Sequence, residues 1–115
     1  MTQTPRPKAI ATVQISNEHV IVTEWRFAPG SETGWHTHGH HYVVVPQTGG
    51  ELLLETPQGP ITAPLVAGQS YARAIGVEHN VINPTQKEVV FVEIEVLCVA
   101  ADGKLTSCAD LLLIS

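Results

Sequence analysis

Residues 30–49 read GSETGWHTHGHHYVVVPQTG, and residues 68–83 read GQSYARAIGVEHNVIN. Positions 36–41 of the first stretch, HTHGHH, hold four of the chain's six histidines. His36 and His38 are separated by one residue. Side chains at i and i+2 of a β-strand leave the same face, one pleat apart, so this spacing lets a strand offer two imidazoles to one ion. Neutral imidazole suits zinc, iron, copper and nickel alike. Two ligands hold a metal weakly, and the second stretch supplies a candidate third. His79 opens the apolar run HNVI after a glycine turn, where an imidazole without a ligand role is an awkward core residue. His19 also starts a strand but has no comparable setting. An H-x-H pair alone has many chance matches, and a histidine-rich turn that picks up metal adventitiously is the competing explanation at this point.

Outward from these stretches, short β-branched runs alternate with Gly, Pro and Asn. Candidate strands cover residues 10–15, 19–27, 40–45, 51–56, 61–65, 70–74, 79–82 and 89–97. Turn signals fall between them, including Pro29-Gly30, Thr48-Gly49-Gly50, Ala67-Gly68 and Asn83-Pro84-Thr85. This pattern predicts an all-β sandwich or barrel and no helix of ordinary length. Segment 89–97 alternates most clearly, with Val90, Val92, Ile94 and Val96 on one face and Phe91, Glu93, Glu95 and Leu97 on the other. The valine and isoleucine face is expected to line the core, and the two glutamates to meet water or a second subunit. The tail, residues 98–115, carries Leu105 and the apolar run LLLI at 111–114, which should pack on the sandwich or on a second subunit.

The chain of 115 residues is 43% hydrophobic and 15% charged, which fits one ordered domain spanning 1–115. A net charge of −5 gives no cationic footprint for nucleic acid. The six Lys and Arg are scattered, so no polybasic membrane patch forms. The first ten residues, MTQTPRPKAI, lack the apolar core of a secretory leader, and no stretch has the length of a membrane span. A cytoplasmic protein is expected. In that compartment Cys98 and Cys108 read as free thiols, and their separation does not make a C-x-x-C motif.

The two histidine-bearing stretches together resemble the cupin superfamily. The first cupin motif is a Gly, five residues, His-x-His, three or four residues, Glu, six residues, Gly. The corresponding positions here are Gly30, His36, His38, Tyr42 and Gly49. The second motif is a Gly, five residues, Pro-x-Gly, two residues, His, three residues, Asn, matched by Gly68, Ala74, Gly76, His79 and Asn83. The resemblance implies a double-stranded β-helix, or jelly roll, with core motifs over 30–83. It also implies one divalent transition metal per chain (Fe, Zn, Ni or Cu) on His36, His38 and His79. Two positions depart from the pattern. Ala74 replaces the proline of the second motif, which alters turn rigidity. Tyr42 replaces the glutamate that usually serves as fourth ligand, leaving a three-histidine site of higher net charge with one more open position. Tyr42 is therefore a candidate catalytic residue that hydrogen-bonds substrate or oxygen, or ligates directly; a core tyrosine is the alternative. Residues 24–46 and 50–57 resemble, more narrowly, the small single-domain cupins associated with beta-alanine degradation.

Four further residues are candidates for the surroundings of the metal or for substrate contact. His40 shares the strand parity of His36, His38 and Tyr42. Trp35, Tyr71 and Arg73 lie close to the motifs, and an inward Arg73 suits a substrate carboxylate. Trp25 and Phe27 offer apolar walls. The resulting expectation is a metal-dependent, oxygenase-like cupin acting on a small organic, carboxylated molecule. The alternative is a non-catalytic metal- or ligand-binding module with a sensing or regulatory role. A homodimer is expected, with strand 10–15 covering a sheet edge or exchanged between subunits.

Overall fold

The computed structural model describes residues 5–97; Cys98, Cys108 and the apolar run at 111–114 lie outside the described residues. Nine strands occupy the described chain: β1 (Ile10–Ser16), β2 (Val20–Phe27), β3 (His36–Thr37), β4 (His41–Pro46), β5 (Gly50–Thr56), β6 (Gly59–Leu65), β7 (Tyr71–Arg73), β8 (Glu78–Ile82) and β9 (Val89–Val96). They correspond to the segments expected from turn spacing, with the two-residue β3 added. No helix occurs among the described residues.

The strands form two sheets, one ordered β1-β2-β9-β4-β7 and the other β3-β8-β5-β6. After β2 the chain passes repeatedly from one sheet to the other, which is the winding of a double-stranded β-helix. The core lies between the sheets and is built from Phe27, Tyr42, Val44, Leu52, Leu65, Val81, Val89 and Phe91. Phe27 and Phe91 stack at 5.5 Å between ring centroids. Burying such a ring stabilises the fold by about 1.5–3 kcal/mol. Pro60 and Pro64 lie within β6, an edge strand, where a missing N–H breaks no ladder.

The direction of β9 differs from the expectation. Val89, Phe91 and Glu93 face inward and are buried, whereas on the opposite face Val90 is buried but Val92, Ile94 and Val96 are only half-buried. Register is the reason. Glu93 stands between Thr23 of β2 and Val44 of β4, both buried, and Phe91 is held against Phe27. Both faces of β9 carry large apolar residues, so hydrophobicity could not choose between them. The long pairing with β2, from Val20↔Val96 to Phe27↔Val89, did.

Candidate metal centre

β3 and β8 pair antiparallel with His36 directly opposite His79. His38 lies beyond the end of β3, yet its backbone continues the pairing. Its N–H donates to Val77 O at 2.8 Å, and its carbonyl accepts from Gly76 N–H at 2.9 Å. Gly76 adopts φ +96°, a conformation L side chains rarely take. The turn that glycine permits therefore closes against the H-x-H segment and delivers His79 two strand positions from Val77.

The three imidazoles converge. His38 Nε2 lies 3.1 Å from both His36 Nε2 and His79 Nε2. His36 Nδ1–H donates to Gly34 O at 2.9 Å, which fixes the tautomer and leaves its Nε2 lone pair facing the cluster. Gly34 is itself held, its N–H donating to Asn80 Oδ1 at 2.9 Å. A single proton on His38 Nε2 can serve one of its two neighbours, so the other contact would set lone pair against lone pair. A shared cation removes that conflict. Metal–nitrogen bonds of about 2.0–2.1 Å span the two 3.1 Å separations, and with all three donors within 4.8 Å of one another a small inward shift of the rings gathers them around one divalent ion. Burial holds His38 and His79 down to about 4, reinforced by the neighbouring imidazoles. Both remain neutral, ligand-competent bases across the physiological range.

Tyr42, in the position of the missing glutamate, is buried and stacks on His38 at 3.9 Å and 19°. Burial raises its phenol above the usual range, and Glu93 adds to this. A neutral phenol is a poor ligand. The residue instead braces the His38 ring from the facing sheet.

The histidines border a cavity of about 200 Å³ between the sheets. Its walls include His36 and His79 on one side, and Trp25, Tyr42, Tyr71, Arg73, Phe91 and Glu93 on the other. Tyr71, half-buried, and Arg73, exposed, thus both border the cavity. The Arg73 guanidinium lies 4.5 Å over the Tyr71 ring and donates to Ala72 O. Two candidates stand elsewhere. Trp35 is 55% exposed and does not border the cavity. His40 is outside the cluster because the chain leaves strand geometry between β3 and β4, so the parity argument does not carry across. His41 accepts from Ile75 N–H at 2.9 Å, on the outer side. Thr33, Asn80 and Glu93 were not singled out as site residues by sequence. Asn80 had the one available signal, its place beside His79.

No family model matches the chain. Among solved structures, a cupin domain from Bordetella pertussis Tohama I is 65% identical, with a TM-score of 0.80, covering 82% of this chain and 98% of that one. A protein with a double-stranded β-helix domain from Klebsiella pneumoniae is 23% identical with a TM-score of 0.66, covering 82% of this chain and 81% of that one, and shows the fold alone. Two sheets wound in this way around histidines from both motifs define a cupin. Among curated proteins, the beta-alanine degradation protein BauB of Pseudomonas aeruginosa PAO1 is 69% identical over 91 residues, 79% of this chain and 96% of that protein. The chain belongs to the family of small cupins that includes BauB.

Proposed function

We propose that this cupin is a metal-dependent enzyme that acts on a small carboxylated molecule in the cavity beside His36, His38 and His79, with oxygenation as its chemistry. The convergence of three Nε2 atoms carries the reading. Bound Fe(II) supplies redox chemistry toward dioxygen, and zinc, nickel or copper supplies Lewis-acid polarisation. Around the ligands, Tyr42 braces His38, and Leu52, Leu54, Val81 and Phe91 keep the cavity dry. Arg73 lies at the cavity wall with no carboxylate partner among the described residues, and offers a bidentate donor to a substrate carboxylate. The name of BauB places that protein in beta-alanine degradation, which agrees with a small carboxylated substrate here. The tyrosine in place of glutamate favours a second reading, a module that binds metal and ligand without turnover.

Elemental analysis by mass spectrometry of untagged protein, beside a His36→Ala/His79→Ala variant, tests the centre. About one transition metal per chain is expected, and loss of it in the variant. Oxygen uptake by the iron-loaded protein with small carboxylates then separates the two readings. Stoichiometric metal without turnover supports the binding module, and no metal even after reconstitution rejects both.

A further inference from the structure

Glu93 is the acid whose placement the function has not absorbed. It is 9% exposed and borders the same cavity as His36 and His79, on the facing sheet. A carboxylate accepts about four hydrogen bonds, but the partner found for Glu93 is the Trp25 indole N–H alone. No Lys, Arg or His pairs with it among the described residues. Its same-face neighbours along β9 are the buried Phe91 and the half-buried Glu95, and an apolar residue at position 93 would pack against Phe91 without the cost of burying a charge beside a second carboxylate. A buried acid aimed into a cavity and left without a cation is placed for a ligand rather than for the fold.

We propose that Glu93 is a ligand-binding residue of this cavity and receives an ammonium or amine group of the small molecule handled beside the histidine centre. The assignment rests on that cavity being the functional site. The volume of about 200 Å³ is below the roughly 300–1,000 Å³ of ordinary small-molecule sites, which suits a short-chain amine. Electrostatics agree with the geometry. Burial lifts the Glu93 carboxyl to about 7, with Glu95 adding to the rise and Trp25 opposing it. Tyr42 from β4, Tyr71 and Arg73 from β7, and His36 and His79 from the opposite sheet also border this space. A cation brought against Glu93 draws it into the ionised form, and the apolar walls strengthen the pair by excluding water.

Trp25 makes the cavity observable. In a Trp35→Phe background it is the remaining tryptophan, and its fluorescence can be titrated with propylammonium, 1-propanol and propionate, in zinc-loaded and metal-free protein. Propylammonium should bind at least tenfold more tightly than 1-propanol, its affinity rising as pH passes through 7 while that of propanol stays level. Glu93→Gln should bring the two within about twofold and leave zinc stoichiometry unchanged. Glu93→Met, close in volume, is read the same way if the glutamine variant folds poorly. A wild-type protein without preference for propylammonium, or a preference that survives both substitutions, overturns the assignment. If the protein takes up no zinc but keeps a Glu93-dependent preference, the metal-centre reading fails and the Glu93 assignment stands.

Discussion

Asn83 closes the second motif and is wholly buried just beyond β8. Its amide donates to Phe27 O at 3.0 Å and to Lys87 O at 2.8 Å, and its Oδ1 accepts from Thr85 N–H and Oγ1. It ties the ends of β2 and β8 to the turn before β9, and so has a structural rather than chemical reason to be asparagine. Asn83→Ala takes this donor from the carbonyl of the buried Phe27 and leaves the carbonyl of the exposed Lys87 to Thr85 Oγ1, and urea unfolding should show a loss of about 1–3 kcal/mol. Glu93 has the opposite effect on stability. Burial lifts its folded pKa to about 7, above its ordinary value of about 4.5. The native state therefore holds this proton more tightly than the unfolded chain. The stability linked to it is full below about pH 4.5 and is lost as pH rises through 7, on the order of 3 kcal/mol. Glu93→Gln removes that loss, so its melting temperature should exceed wild type most clearly above pH 7. Equal melting curves at pH 5 and pH 8 for the pair would contradict the burial argument.

At the scale of elements, the sheet edges are treated unequally. β6 carries Pro60 and Pro64, and β3 and β7 are only two and three residues long. Each device discourages pairing with another chain. β1 is neither short nor broken by proline, and its one irregularity is a register shift between Val13 and Ile15. It is seven residues long, IATVQIS, lacks charge and proline, and leaves Ile10, Val13 and Ile15 64%, 59% and 47% exposed. We infer that this edge meets a second copy of the chain, the role expected for strand 10–15 in a homodimer. Gel filtration should place the wild-type protein at dimer mass. A Val13→Lys/Ile15→Lys variant should move to monomer mass with its β-sheet circular dichroism intact, and a wild-type monomer rejects the proposal.

For the molecule as a whole, the histidine cluster joins strands that are far apart in sequence, His36 on β3 and His79 on β8, so an ion held there would be linked to the fold. An ion bound only by the native state adds about 2.7 kcal/mol at a hundredfold excess over its Kd, a rise of several degrees or more in melting temperature for a domain of this size. Zinc or nickel titrated against the metal-free protein should show that rise, and His36→Ala/His79→Ala should show none. The linkage has an acid limit. His38 and His79, neutral in the native state with values of about 4, stabilise the fold in full above their unfolded pKa of about 6.5. That contribution disappears as pH falls from there toward 4, and protons then compete with the ion for the same lone pairs.

Turn residues and period-two alternation placed eight of the nine strands within a few residues, because Gly, Pro and Asn act locally on the backbone. The H-x-H spacing put His36 and His38 forward as a pair, and the resemblance to the two cupin motifs added His79, the three residues that the structure brings together. β3 escaped notice because two residues carry no period. The same alternation could not say which face of β9 turned inward, or that β3 would stop at Thr37 and strand His40 outside the cluster. Nor could it place Trp35 at the surface. Those outcomes depend on pairing between strands remote in sequence, where a shift of one residue exchanges every inward side chain for an outward one. Sequence therefore determined the histidines and the winding that joins them, while the register of β9 between β2 and β4 alone decided that Glu93 faces their cavity.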